Sequence, residues 1–390
     1  MADLLWPGDL RAGDVFTDEA FLAAMVRVEQ AWLEALAGAG LAATAVALTA
    51  PPLAEVAAGA ESGGNPVIPL VKALRSQHPD VHRGLTSQDV VDTALVLCLR
   101  DALDRVLADS EHSARALARL AREHRGAVMA GRTLTQYAVP ITFGLKAATW
   151  LDGLTHAVQE LRRVRDGLPA QTGGAAGTMA AVVELARDLP DPAGTALELA
   201  RSLKQALGLQ GGRWHTHRSA LTTSGDALVT LADALGHVAG DVALLSRPEI
   251  GELREGAGGG SSTMPGKANP VLSVLLRRHA LAAPGLAATL HAAAAAYVDE
   301  RPDGAWHAEW DTLRLLARRS VVAASQAADL LEGLVVDTER MAARVADVAD
   351  TLRAEQRSMS GGSADGAYLG ATDHIIDNIL ERAARIWSDL

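Results

Sequence analysis

Residues 226–246 read DALVTLADALGHVAGDVALLS. Leu228, Leu231, Leu235, Val238, Val242 and Leu245 recur there at alternating steps of three and four. That is the spacing of an apolar seam on a helix packed lengthwise against others. Pro248 closes the run, since it has no N–H to donate and crowds the preceding turn. Comparable helical runs lie outward at 141–166, 271–296 and 312–334, and Pro284 predicts a kink or break in the second of these. Toward the N-terminus, Thr17 is a suitable N-cap with Asp18 and Glu19 in the first turn, and Gly38 and Gly40 stop that helix. A longer helix starts near Ser87 and runs to Glu123 through Val91, Leu95, Leu99, Leu103 and Val106. At ~1.5 Å per residue it would span ~50 Å. No window sustains strand alternation. The fold class is therefore all-α, a bundle of long helices.

Composition agrees. Of 390 residues, 49% are hydrophobic but only 3% aromatic, so Ala and Leu carry the apolar content and favour helix over sheet. The 36 Lys and Arg against 47 Asp and Glu leave a net charge of -11, which repels nucleic acid and anionic lipid. Neither is expected as a partner. Cys98, the single cysteine, sits in an apolar helical run and reads as a small buried hydrophobe. The N-terminus lacks the basic and apolar regions of a signal peptide, and no 18-residue apolar stretch is free of charge. The expectation is a cytoplasmic protein with an N-terminal helical domain at 1–85, a central bundle at 86–335 and a short helical C-terminal part at 336–390.

Polar, Gly-bearing segments interrupt the helices. Residues 256–270 read GAGGGSSTMPGKANP. A phosphate loop fails there, because Ala268 follows Lys267 where Ser or Thr is needed. A flexible linker and a mobile lid carrying Ser261, Ser262, Lys267 and Asn269 both remain open. Residues 82–89, HRGLTSQD, open the long helix. Thr86 or Ser87 would cap it, and the same geometry would bind a carboxylate. The run RTLTQ at 132–136 has the same two readings. QTGGAAGT at 171–178 follows a charged stretch rather than an apolar strand, so close backbone packing is preferred over a dinucleotide loop. His215 and His217 lack a nearby carboxylate or Cys at ligand spacing, which argues against a metal. Trp306 to Trp310 reads as a buried aromatic patch with a satisfied His.

Taken together, these segments resemble the fumarase/aspartase superfamily. GSSTMPGKANP at 260–270 is similar to its signature loop, TSQDVVDTA at 86–94 to its first active-site region and RTLTQYAVPITFG at 132–144 to its second. Within the superfamily, GGNPVIPLVKAL at 63–74, WHTHR at 214–218, GAWHAEW at 304–310 and Tyr368-Leu369-Gly370 resemble the 3-carboxy-cis,cis-muconate cycloisomerase branch. The likeness runs from about Trp6 to near the C-terminus, with the C-terminal helical domain reduced.

The resemblance implies a homotetramer whose sites combine the three regions from three chains, with no metal or organic cofactor and a di- or tricarboxylate substrate. Each motif is expected to begin a different long helix. By the resemblance, Ser261 transfers the proton beside a carboxylate, with the closed loop stabilising its alkoxide, and Lys267 and Asn269 hold a carboxylate as charge develops. Thr86, Ser87, Thr133 and Gln136 bind substrate, joined by His82, Ser262, Arg301 and His215. Tyr137, also placed among the catalytic residues, stands where this branch more often has His; Tyr, with an ordinary pKa near ~10, can donate a proton but is a poor base at neutral pH. Leu134 replaces the His of many superfamily lyases, as it does across this branch. Gly266 and Ala268 replace His and Arg, which removes anion-binding groups from the loop. The implied activity is lactonisation of 3-carboxy-cis,cis-muconate in aromatic catabolism. Elimination of an amine, nitrite or other group from a substituted succinate is the alternative.

Overall fold

The computed structural model describes residues 3–256, 259–260, 263–264, 266–363 and 366–387. Helix makes up 63% of the chain, and the all-α reading holds. After a short 3-10 turn at Asp9–Ala12 come α1 (Asp18–Gly38), α2 (Leu53–Gly63), α3 (Val67–Leu74) and α4 (Ser87–Glu123). A hairpin of β1 (Val128–Thr133) and β2 (Gln136–Thr142) leads into α5 (Phe143–Asp166). Then follow β3 (Pro169–Ala170), α6 (Ala180–Leu185), α7 (Pro192–Leu207), β4 (Gln210–Gly211) and α8 (Ser219–Leu245). The chain continues with β5 (Leu253–Arg254), α9 (Val271–Ala295), α10 (Ala305–Glu332) and β6 (Val335–Val336). It finishes with α11 (Thr338–Asp347), α12 (Ala349–Leu352), α13 (Ala354–Met359) and α14 (Thr372–Ala384).

Two compact units share this chain. One comprises Met1–Arg105, Leu161–Leu228 and Ala283–Val321; the other comprises Val106–Glu160, Val229–Ala282 and Val322–Leu390. The boundaries fall inside α4, α5, α8, α9 and α10, so each of these helices gives a part to each unit. In the first unit, Trp32, Leu33 and Leu36 of α1 and Leu99 and Leu103 of α4 are wholly buried. In the second, Leu231, Leu235, Val238, Val242 and Leu245 of α8 are at most 4% exposed, as their spacing requires. Gly236 lets α8 and α9 approach, since a Cβ there would lie 2.5 Å from the Ala280 Cβ. By length and composition alone α8 could cross a membrane, with 44% of that window buried inside the fold. Core helices pass the same test.

Three expectations need correction. The break at Pro284 is absent, because α9 runs from Val271 to Ala295 through it despite the missing donor. The 128–142 segment is a hairpin, although no strand was expected. Gly131 and Pro140 disguise it: the register shifts between Ala130 and Arg132, and a Cβ on Gly131 would sit 2.5 Å from the Val139 carbonyl oxygen. Consequently the RTLTQ motif does not begin a helix. Thr142 caps α5 instead, its Oγ1 accepting the Leu145 N–H at 3.1 Å.

Candidate active site

In the first unit the site is built on the start of α4. Asp89 is fully buried, and its two oxygens accept the N–H groups of Gly173 (2.7 Å), Gly174 (3.0 Å) and Thr86 (3.0 Å). This ties the Gly-rich 171–178 loop to the helix N-terminus. The loop's use is thus close packing. Burial pushes the Asp89 carboxyl up to about 7, against the pull of those three amides. Thr86 Oγ1 accepts from Arg301 Nη2 at 2.6 Å, which brings those two expected site residues together. Ser87 is the first residue of α4 and half-buried. His82 precedes it in the loop, its Nδ1 2.6 Å from Glu29 Oε1.

His215 packs on the same glycine loop. A Cβ on Gly177 would lie 2.2 Å from its Cε1, and Gln88 Nε2 donates to its carbonyl at 2.9 Å. Its Nδ1 is buried without a partner, and burial lowers its pKa. His217 is used apart from it, with ring nitrogens 3.0 Å from Ser219 Oγ and 3.1 Å from the Arg213 carbonyl. Behind this cluster, Arg218 forms a buried ion network with Asp92 (2.7 Å) and Glu309 (2.7 Å). Trp306 Nε1 donates to Asp92 at 2.9 Å, so the aromatic patch braces the network. His307 is exposed, its Nε2 2.8 Å from the Gly64 carbonyl.

The second unit carries the other two motifs. Thr133 and Gln136 close the hairpin turn and are exposed, while Tyr137 faces Arg132 across the ladder. The Arg132 guanidinium lies 5.4 Å from the Tyr137 ring centroid and grips the fully buried Glu252 through both Nη atoms, at 3.1 and 3.2 Å. The hairpin is thereby fixed to the root of the signature loop. That root pairs with β6 through β5, and Asp337 N–H donates to the Glu252 carbonyl at 3.0 Å. Glu255, 3% exposed, closes the loop's neck by accepting the N–H groups of Leu272 (3.1 Å) and Ser273 (2.8 Å) at the start of α9. Gly259 and Asn269 bridge above it. Lys267 is exposed, and Asn269 Nδ2 donates to the Gly260 carbonyl at 3.3 Å. Ser261 and Ser262 lie outside the described residues. A cavity of about 500 Å³ flanks the root, lined in part by Arg254, Glu255, Asn269 and Asp337.

Glu255, Glu29 and the Arg218 network went unnoticed in the sequence. Glu255 stands just before the glycine run and Glu29 falls among the apolar positions of α1, between Val28 and Trp32, the only signals either offers.

A sequence profile described as lyase matches residues 57–285. Nitrosuccinate lyase of Streptomyces davaonensis is 44% identical over 348 residues, covering 84% of this chain and 73% of its own. 3-Carboxy-cis,cis-muconate cycloisomerase of Pseudomonas aeruginosa is 41% identical over 389 residues, covering 95% and 82% respectively. Among solved structures, the 3-carboxy-cis,cis-muconate lactonizing enzyme of Pseudomonas putida matches with a TM-score of 0.79 at 35% identity, over 96% of this chain and 86% of that one.

Proposed function

The chain belongs to the lyase family of the fumarase/aspartase superfamily, and from that premise we propose that it is a 3-carboxy-cis,cis-muconate cycloisomerase. The substrate's own carboxylate adds across a double bond, Ser261 delivers the proton to the carbon beside a second carboxylate, and a carboxymuconolactone results. Lys267 stabilises the charge that builds on that carboxylate. His82, Thr86, Ser87, Arg301 and His215 bind substrate from one side, Thr133 and Gln136 from the hairpin, and Ser262 and Asn269 from the loop, while Tyr137 joins Ser261 and Lys267 as a catalytic residue, a proton donor on the hairpin. The enzyme acts as a cytoplasmic homotetramer with sites shared between chains. What most supports this reading is the 41% identity to a named cycloisomerase over 95% of the chain.

A second reading is elimination of nitrite from a nitro-substituted succinate, favoured by the 44% identity to nitrosuccinate lyase and by the altered positions Tyr137, Gly266 and Ala268. Both reactions cleave or form a bond to a weakly basic anion, carboxylate or nitrite. Such a group departs without a proton, and the aliphatic Leu134 at the hairpin tip supplies none. Ultraviolet absorbance of 3-carboxy-cis,cis-muconate and colorimetric release of nitrite from nitrosuccinate separate the two readings. Ser261→Ala should lower the true reaction by at least ~100-fold. Near-normal turnover in that variant removes Ser261 from the mechanism, and inactivity on both compounds refutes both readings.

A further inference from the structure

We infer that Glu29 is a positioning residue for His82: its carboxylate accepts a hydrogen bond from Nδ1–H, which fixes the ring and leaves Nε2 as the nitrogen that faces substrate, where it donates to a carboxylate when the ring carries both protons. The role of His82 rests on the lyase reading; its coupling to Glu29 does not.

Three observations carry the inference. Among the buried residues of α1, Glu29 is the one charged group, at 0% exposure amid Val28, Ala31, Trp32 and Leu33. Its Oε1 lies 2.6 Å from His82 Nδ1, while its Oε2 is buried without a partner. A half-satisfied buried carboxylate costs more than a well-packed apolar residue in the same space, so stability does not explain it.

His82 itself has φ 66, the left-handed conformation that a residue with a Cβ adopts only under constraint. The constraint is visible. Trp32, three residues after Glu29 on α1, donates Nε1–H to the Arg83 carbonyl at 2.8 Å. Arg83 in turn pairs with Asp80 at 2.8 Å, and Arg75 Nε donates to the Val81 carbonyl at 3.3 Å. Gly84, at φ 86, lets the loop pass close to α6, since a Cβ there would lie 2.6 Å from Val182 Cγ2. Helix α1 therefore holds the histidine's ring through Glu29 and the carbonyl of the following residue, Arg83, through Trp32. A carboxylate on one imidazole nitrogen is the usual way to assign the other nitrogen its task.

The test needs no substrate. In ¹⁵N-labelled protein, long-range proton–nitrogen correlation reports each histidine's tautomer, and His82→Gln identifies the His82 signals. The expected result is a protonated Nδ1 on His82 that is lost in Glu29→Leu, while the melting temperature of that variant holds or rises. A wild-type His82 with Nδ1 unprotonated, or one unchanged by Glu29→Leu, overturns the inference. Once a substrate is known, Glu29→Leu should raise KM roughly 10-fold, and adding it to His82→Gln should cost nothing further. A lower melting temperature with unchanged KM would mark Glu29 as merely structural. Failure of every tested substrate would refute the lyase reading and leave the tautomer result standing.

Discussion

Asp89 shows how much one side chain can be asked to do. It binds the amides of Gly173, Gly174 and Thr86, and burial holds its carboxyl up to about 7 against an ordinary value of 3.8. Between those two values the folded protein keeps a proton that the unfolded chain has released. The group's contribution to stability is therefore whole below the window and lost as pH rises through it. Thermal melts across that range should fall more steeply for the wild type than for Asp89→Asn; equal slopes would show that Asp89 does not titrate there. The sequence displayed Asp89 and its local partner Thr86 inside TSQD but no hint of the other two, because Gly173 and Gly174 lie 84 and 85 residues away. Such pairing depends on tertiary placement. The same holds for Arg218, which meets Asp92 across 126 residues and Glu309 across 91.

Among the elements, the helices were legible and the hairpin was not. A repeated apolar step marks a helix from within, as α4 and α8 illustrate, and burial then confirms each seam position. The 128–142 hairpin carries its signal in backbone geometry instead. Its two-residue turn puts Leu134 at φ 48 and Thr135 at φ 70, where Asn and Gly are the residues a sequence reader looks for. Leu134 is 96% exposed, so packing does not hold the turn in place. Thr135→Gly should relieve the strain and stabilise the protein by about 1 kcal/mol, read as a higher denaturation midpoint. A lower midpoint would mean that Thr135 makes contacts that outweigh its backbone cost.

At the scale of the molecule, helix α9 leaves Val274 55% and Leu281 82% exposed, and α8 leaves much of its apolar window uncovered. Apolar helix faces of that kind suit the shared-site tetramer proposed above. Leu281→Asp should shift the chain toward smaller species in size-exclusion chromatography with light scattering and depress turnover in parallel. An unchanged mass would take α9 out of the assembly. The fold was readable at this scale because long helices have few ways to pack; the division of the chain between two units was not, since its boundaries fall within helices rather than linkers. One feature of the second unit also bears on how such an enzyme changes over time. Because Glu255 joins the two ends of the signature segment through Leu272 and Ser273, those ends are held together by the scaffold's own hydrogen bonds. Ala268, which is exposed, should therefore accept exchange with no change in melting temperature. On the proposed reading, substrate preference is open to change at such a position while the architecture is inherited intact.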